Sequence, residues 1–163
     1  MEPFRQRYGP WAVVAGASEG IGASFSRKLA ARGLDLVLVA RRAGPLEELG
    51  AELRSTHPIS VHVHPMDLGE SDAIDRLHEV TADLDVGLVI YNAAYSPIGA
   101  FIDIEVEHHL NAVRVNVLGT LRVSHYFGRR LAERGRGGLI LMSSMSRVKG
   151  TEMVANYAAT KAY

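Results

Sequence analysis

Two side chains near the carboxyl end of the sequence, Tyr157 and Lys161, are spaced for acid–base chemistry. Residues four positions apart lie on the same face of a helix, so the lysine ammonium can approach the tyrosine ring oxygen. A nearby positive charge stabilises the phenolate relative to the neutral phenol. The pair therefore predicts a tyrosine that donates and accepts a proton, which makes Tyr157 the candidate general acid and base.

A glycine-rich stretch near the amino end is suited to phosphate binding. It lies between an apolar run and a helical pattern and reads Gly16-Ala17-Ser18-Glu19-Gly20-Ile21-Gly22. Glycines let the backbone turn sharply and approach a pyrophosphate, whose charge is met by free N–H groups at the start of the helix. The spacing G-x-x-x-G-x-G departs from the dinucleotide fingerprint G-x-G-x-x-G, and an ordinary tight turn is the alternative. The position between a strand and a helix favours nucleotide binding.

Two adjacent arginines, Arg41 and Arg42, follow the second apolar run. They come about 20 residues after the glycines, where a dinucleotide site places its ribose-reading residue. A carboxylate there would accept a hydrogen bond from the 2′-hydroxyl of NAD, whereas guanidinium groups suit the 2′-phosphate of NADP. A pair of solvated charges at a strand end is the alternative. We predict NADP (as NADPH) as the cofactor, with NAD less favoured.

Apolar runs typical of buried strands alternate with helical patterns along the chain. The predicted strands span 11–15, 34–40, 59–65, 86–91 and 138–142. The first predicted helix follows the glycine stretch, and the next three span 46–55, 71–82 and 105–134. This alternation implies right-handed crossovers and a parallel sheet with helices on both faces. Residues 1–163 are therefore predicted to form a single nucleotide-binding domain, a doubly wound α/β/α sheet of the Rossmann type.

Polar or glycine residues directly follow each of the five predicted strands. In chain order they are Gly16, Arg41, Asp67, Asn92 and the pair Ser143–Ser144. Ligands of doubly wound sheets bind beyond the carboxyl ends of the strands. We therefore expect one functional site along this edge of the sheet.

These motifs resemble those of the short-chain dehydrogenase/reductase family, in its single-domain branch. The resemblance extends from Trp11 to Lys161. The family pattern T-G-x-x-x-G-x-G is matched with Ala15 in the threonine place, and the pattern N-N-A-G is matched with two departures, Tyr91 and Ala94. The matching residues are Gly16, Gly20 and Gly22 in the first pattern, Asn92 and Ala93 in the second, Asn116 in V-N-V-L-G, Ser144, and the Y-x-x-x-K motif Tyr157-Ala158-Ala159-Thr160-Lys161.

The resemblance implies an oxidoreductase that transfers a hydride between NADP(H) and a small carbonyl or alcohol substrate. Tyr157 would then protonate the carbonyl oxygen, and Ser144 would donate a hydrogen bond to that oxygen as it gains negative charge. Lys161 would contact both Tyr157 and the cofactor ribose. The resemblance also assigns Asp67 to the adenine ring and Asn116 to a water that links Lys161 to solvent. A serine after a strand is often only a turn residue, and a helical asparagine often marks only a kink.

The sequence stops two residues after Lys161, whereas the family continues with further strands and a loop that closes over the substrate. We therefore expect a sheet that lacks its C-terminal strands. Two hypotheses stay open: an NADP-dependent enzyme known here in part, or a truncated, catalytically inactive nucleotide-binding or interaction module. Steroid, acyl, sugar and small-ketone substrates are equally compatible. The resemblance implies a homo-oligomer, a dimer or tetramer, at full length.

The composition excludes several other classes of protein. Apolar residues make up 47% of the chain and charged residues 22%, with 18 basic side chains balancing 18 acidic ones, which predicts neither nucleic acid nor a membrane as partner. The lack of cysteine excludes thiolate metal sites and favours a cytoplasmic location.

His62 and His64 share a strand face without a third ligand, so no metal site is predicted. The basic cluster Arg129, Arg130, Arg134 and Arg136 is interpreted as complementing a helix dipole.

Overall fold

The computed structural model of the chain describes residues 4–163. Its centre is a five-stranded, all-parallel sheet with the strand order β3-β2-β1-β4-β5, which confirms the predicted doubly wound fold. The strands are β1 (Trp11–Ala15), β2 (Asp35–Ala40), β3 (Val61–Pro65), β4 (Val86–Tyr91) and β5 (Gly138–Leu141). The helices are α1 (Phe4–Tyr8), α2 (Gly20–Ala30), α3 (Ala43–Thr56), α4 (Ala73–Thr81), α5 (Val106–Val113), α6 (Thr120–Arg134) and α7 (Ala155–Ala162).

The central strands bury both of their faces because successive side chains point to opposite sides of the sheet. In β1, Ala12 and Val14 pack with residues of α2 and α3 on one face. Val13 and Ala15 pack with residues of α4 and α6 on the other face. The apolar runs read in the sequence thus build a three-layer α/β/α arrangement, with one core on each side of the sheet.

The strand register brings the carboxyl ends of the strands to a common edge. Ala15 of β1 pairs with Val39 of β2 and with Tyr91 of β4. Ala40 pairs with Pro65 of β3, and Tyr91 in turn pairs with Leu141 of β5. The segments that follow these residues therefore emerge side by side, as expected for the functional edge of such a sheet.

The predicted long helix at 105–134 is interrupted in the structure. Between α5 and α6 the chain forms a π-helical turn, Arg114–Gly119, which we call the π turn. Short π turns inside helices occur often at functional sites, and here the turn carries the candidate residue Asn116. Periodicity alone did not reveal it, because one residue of local widening hardly disturbs the apolar pattern.

The remaining element boundaries differ from the prediction by a few residues. Helix α3 begins three residues early, at Ala43, because Pro45 is tolerated in a first turn whose N–H groups lack helical partners anyway. Strand β3 begins two residues late, at Val61.

Two arginines of the basic cluster, Arg130 and Arg134 on α6, contact segments at the amino-terminal edge of the sheet. Arg130 donates to the carbonyls of Thr81 and Leu84, at 2.8 and 2.7 Å. Arg134 pairs with Asp85 at 2.7 Å and also donates to the Gly9 carbonyl. Thr81 ends α4, so Arg130 complements the dipole of that helix rather than of α6. The contacts of Arg134 link separate segments, which the interpretation as dipole-complementing charges did not foresee.

Candidate cofactor and active site

The glycine-rich loop after β1 packs directly against the segment after β4. Gly16 has a φ of +82°, and a Cβ there would lie 2.6 Å from the backbone nitrogen of Ala93. Asn92 donates from Nδ2 to the Gly16 carbonyl at 3.0 Å, and a Cβ at Gly22 would approach that Nδ2 to 2.9 Å. Only glycine fits Gly16 and Gly22 because backbone and amide atoms occupy the space of a side chain. The structure thus brings four predicted cofactor residues together.

The start of α2 presents free backbone donors beside this loop. Gly20, with a φ of +55°, opens the helix, and the preceding residue Glu19 makes no side-chain cap. The first N–H groups of a helix lack helical partners and carry the positive end of the helix dipole. Together with the close approach that the glycines allow, this arrangement fits a nucleotide pyrophosphate.

A cavity of about 260 Å³ lies along the carboxyl edge of the sheet, between the glycine loop and the ends of β2, β3 and β4. Eight of the residues predicted to bind cofactor line it: Gly16, Ser18, Glu19, Arg41, Arg42, Asp67, Asn92 and Ala93. Five others do not line it: Gly20, Ile21, Gly22, Tyr157 and Lys161. Gly22 lies behind the Gly16 carbonyl, and the last two belong to the neighbouring catalytic segment.

The two arginines at the cavity mouth each have an acidic neighbour. Arg42 forms an ion pair with Glu19 at 2.6 Å, and Arg41 lies 3.9 Å from Asp67. Asp67 also accepts a hydrogen bond from the backbone N–H of Gly69 at 2.9 Å. The sequence did not indicate these pairs, because their partners come from different strand ends.

Asn116 links the cavity to the helix that carries the predicted acid. Its amide is buried, with 4% exposure. It accepts from the backbone N–H of Tyr95 and donates to the Tyr95 carbonyl, both at 2.9 Å. It also donates to Oγ1 of Thr160 at 2.9 Å. Sequence reasoning missed both partners. Tyr95 contributes only backbone atoms, and Thr160 occupies an unspecified position of the Y-x-x-x-K motif.

Tyr157 and Lys161 lie together on α7. The Lys161 ammonium is 5.8 Å from the centre of the Tyr157 ring and donates to the Met142 carbonyl at 2.8 Å. Burial of this side chain lowers the pKa of Lys161 below the ordinary lysine value. The structure therefore places the ammonium beside the ring of Tyr157, while its hydrogen bond goes to the Met142 carbonyl; the contact with the tyrosine oxygen stays a prediction.

Ser144 lies after β5, in the loop that precedes α7. Its hydroxyl oxygen accepts hydrogen bonds from the backbone N–H and the hydroxyl of Ser146, at 3.2 and 2.8 Å. Within residues 4–163, no hydrogen bond joins Ser144 to Tyr157. Ser144 thus caps a short turn, as the alternative interpretation holds, while keeping its own proton for a further acceptor.

Helix α7 is short and draws its support from other segments. An eight-residue helix is marginal by itself, so tertiary contacts decide whether it forms. Four side-chain hydrogen bonds tie it to its surroundings: the one from Lys161 to the Met142 carbonyl, Asn156 to the His109 carbonyl at 3.2 Å, Asn116 to Thr160, and Ser143 to the Lys161 carbonyl at 3.0 Å. These bonds hold Tyr157 between α5, the π turn and the end of β5.

No group of three or more potential metal ligands occurs in the part of the chain that the structure describes. The ring of His62 packs at a tilt against Trp11, with ring centres 4.6 Å apart, and does not join a ligand set with His64. None of the helices between residues 4 and 163 has the length and apolar character to cross a membrane.

The chain is similar to dehydrogenases and reductases of known activity. The chain is 38% identical over 160 residues to a 7beta-hydroxysteroid dehydrogenase of Clostridium sardiniense, which covers 98% of this chain and 61% of that protein. It is 37% identical over 161 residues to a very-long-chain 3-oxoacyl-CoA reductase of Podospora anserina, covering 95% of this chain and 47% of that protein. The chain therefore spans about half to three fifths of the length of these relatives.

Solved structures match the fold over almost the whole chain. A 7beta-hydroxysteroid dehydrogenase aligns with a TM-score of 0.94 at 33% identity, over 98% of this chain and 62% of that one. A short-chain dehydrogenase from Sphingobium yanoikuyae in complex with NADPH aligns with a TM-score of 0.89 at 28% identity, over 94% of this chain and 60% of that one. The short chain dehydrogenase family matches residues 10–163, so the chain belongs to that family.

Proposed function

We propose that the protein transfers a hydride between NADP(H) and a carbonyl or alcohol substrate, with Tyr157 as general acid and base. One observation carries this proposal. The buried amide of Asn116 bonds to Tyr95, which lines the cofactor cavity, and to Thr160, which lies between Tyr157 and Lys161. Nucleotide cavity and proton donor thereby belong to one connected site.

The residues of the chain would divide the work by their chemistry. A bound nicotinamide would supply or accept the hydride. Tyr157 would donate a proton to the carbonyl oxygen during reduction and take it back during oxidation. The hydroxyl of Ser144 would donate a hydrogen bond to the same oxygen while negative charge builds there. The ammonium of Lys161, close to the tyrosine ring, would stabilise the phenolate that remains.

The cofactor-binding residues support NADP over NAD. Gly16, Gly22 and the start of α2 would receive the pyrophosphate, and Asp67, which also lines the cavity, would meet the adenine. Arg41 and Arg42 line the same cavity and carry the positive charge that a 2′-phosphate requires. One structural relative is a complex with NADPH, which agrees with this choice.

Exposed apolar side chains in the segments before α5 and after β5 support an apolar substrate. Ile98 and Ile102 are 77% and 88% exposed before α5, and Met145 is 80% exposed after β5. The first of these loops is tied to the chain before α7 through a bond from the Gly99 N–H to the Met153 carbonyl at 2.9 Å. A hydroxysteroid and a long-chain 3-oxoacyl thioester are therefore the substrates to assay first. The cytoplasmic location and the homo-oligomer remain predictions.

Substitution of Tyr157 by phenylalanine tests the acid role directly. Tyr157→Phe removes only the hydroxyl, so we expect turnover to fall roughly 100-fold or more while NADPH affinity changes less than twofold. NADPH fluorescence titration and turnover of the protein at its natural length measure the two effects. Tyr8→Phe, on a tyrosine of α1, is the matched control and should leave turnover unchanged.

Turnover above one tenth of the unsubstituted rate in Tyr157→Phe would remove Tyr157 from the acid role. Tight NADPH binding without any turnover of a steroid or acyl ketone by the unsubstituted protein would instead support the inactive nucleotide-binding module.

A further inference from the structure

Tyr91 is the last residue of β4 and occupies a place where the family pattern has asparagine. Its side chain is 1% exposed and packs in the core between the sheet, α4 and α6. Its hydroxyl donates to the carbonyl of Val115 at 2.7 Å, so the ring spans from the sheet to the π turn. Burial raises the pKa of Tyr91, and the hydroxyl therefore keeps its proton and stays a donor.

The π turn offers its carbonyls to side-chain hydroxyls. Val115 accepts from Tyr91, and the next carbonyl, that of Asn116, accepts from Oγ1 of Thr120 at 2.7 Å. A hydroxyl on a carbonyl compensates for hydrogen bonds that a regular helix would make there. The bond from Tyr91 is the long-range one, since it joins residues 24 positions apart.

Gly119 provides the room that the tyrosine needs. A Cβ at this buried position would collide with the Tyr91 hydroxyl oxygen and approach ring atom Cζ to 3.1 Å. Tyrosine at 91 and glycine at 119 therefore fit each other as a pair. The bond from Tyr91 to Val115 and the contact between Tyr91 and Gly119 together set the distance between the π turn and the sheet.

We propose that Tyr91 is a positioning residue that acts through Asn116. This inference rests on the proposed function, in which Asn116 connects the cofactor cavity to the proton donor. Val115, the residue that Tyr91 holds, directly precedes Asn116 in the π turn. The Asn116 side chain in turn makes two hydrogen bonds to the backbone of Tyr95, which lies four residues after Tyr91. The segment 91–95 and the π turn are thus joined by hydrogen bonds at two points, Tyr91 to Val115 and Asn116 to Tyr95. Loss of the first bond therefore weakens the second.

Tyr91→Phe isolates the hydroxyl because the ring and its packing remain. We expect kcat to fall about fivefold to twentyfold, as for a lost buried hydrogen bond, with the KM for NADPH changed less than twofold. Tyr126→Phe is the matched control, since it removes another tyrosine hydroxyl, which accepts from Arg130 at 3.1 Å away from the site. We expect the control to leave kcat unchanged.

A double-mutant cycle separates positioning from general stability. If Tyr91 acts through Asn116, then Tyr91→Phe should lower kcat less than twofold in a protein that already carries Asn116→Ala. Equal fold losses in both backgrounds would overturn the proposal. So would an unchanged kcat in the single variant alongside a lower melting temperature, because Tyr91 would then be only a core residue.

Hydrogen exchange tests the anchor without turnover. The amides of Val115–Gly119 should exchange at least threefold faster in Tyr91→Phe and at the normal rate in Tyr126→Phe. Unchanged exchange overturns the anchor whether or not the protein turns over a substrate. An unsubstituted protein without turnover contradicts the proposed function separately, so the two failures are distinguishable.

Discussion

The two halves of the functional edge are held together by different means. The cofactor half is formed by the segments after β1, β2, β3 and β4. Apart from the partly exposed edge strand β3, it is built on strands buried on both faces, and close backbone packing between Gly16 and Ala93 holds it together. The catalytic half comprises the segment after β5 and α7. Strand β5 is only half-buried, and side-chain hydrogen bonds such as Asn116 to Thr160 hold this half in place.

This difference predicts different responses to substitution. Where backbone atoms touch, any added side chain must displace the main chain, so both fold and cofactor binding suffer. Where single side-chain hydrogen bonds position the catalytic residues, a substitution changes turnover while the core stays intact. Substitutions in the cofactor half should therefore lower mainly the free energy of unfolding, and substitutions in the catalytic half should lower mainly kcat.

Removal of the Lys161 ammonium should give the largest effect on rate. We expect Lys161→Met to lower kcat about 100-fold to 10,000-fold, because the positive charge beside Tyr157 is lost. Steady-state kinetics measure this loss, and Lys28→Met, on an exposed lysine of α2, should leave kcat unchanged. A loss below tenfold would contradict the assignment of Lys161 to the catalytic half.

The protonation of Lys161 also determines in which direction turnover changes with pH. Its ammonium is present below its pKa and lost above it, and burial lowers this pKa from 10.5. The contribution of Lys161 to turnover should therefore disappear, as the pH rises, before the ordinary lysine value is reached. A pH–rate profile checks this alkaline limb.

Glycine 16 should give the largest effect on stability. Gly16→Ala combines a positive φ of +82° with a Cβ 2.6 Å from the Ala93 backbone, so we expect the free energy of unfolding to fall by about 3 kcal/mol or more. Urea unfolding measures it. Gly44→Ala is the control, because no atom lies within 4 Å of its Cβ position and α3 should become slightly more stable. Similar results for both glycines would refute the idea that backbone packing holds the cofactor half.

The arginine pairs should give a smaller effect, on cofactor choice. We expect Arg41→Ala to weaken NADPH binding about tenfold and NADH binding less than twofold, since only NADPH carries the 2′-phosphate. Equal affinities for both nucleotides, before and after the substitution, would refute the NADP assignment. Glu19→Gln should strengthen NADPH binding a few-fold, because Arg42 is then released from its carboxylate partner at 2.6 Å.

Histidine 78 should give the smallest effect, on stability at acid pH. Burial and the nearby Arg130 lower its pKa below the ordinary 6.5, although Asp75 opposes the shift. The unfolded chain then binds the proton more readily, so stability is full above pH 6.5 and declines as the pH falls through the folded-state pKa. His78→Phe, which preserves the stacking on Tyr126, should flatten this decline in urea unfolding at pH 7.5 and 5.5. The exposed His125→Gln serves as control, and an identical decline in the His78 variant would contradict the prediction.

Much of the cofactor half could be predicted because it depends on local chemistry. A strand, a glycine turn and a helix follow one another within residues 11–30, and each has a signature that is readable over a few positions. The pairing of Tyr157 with Lys161 is also local, since one helical turn sets it. The ion pairs of Arg41 and Arg42 and the role of Tyr95 could not be predicted, because each joins residues far apart in the chain. The π turn could not be predicted either, because it hardly disturbs the apolar periodicity.

The parallel α/β/α fold, the edge of the sheet that carries the site and the residue types gathered there all follow from local sequence patterns. Periodicity and the alternation of strands and helices along the chain suffice for this, since they act through burial and backbone geometry common to many chains. Only the tertiary structure decided how Asn116 joins the two halves and how Tyr91 and Gly119 hold the π turn. Those contacts depend on ångström-scale fit between distant segments, which no local pattern encodes.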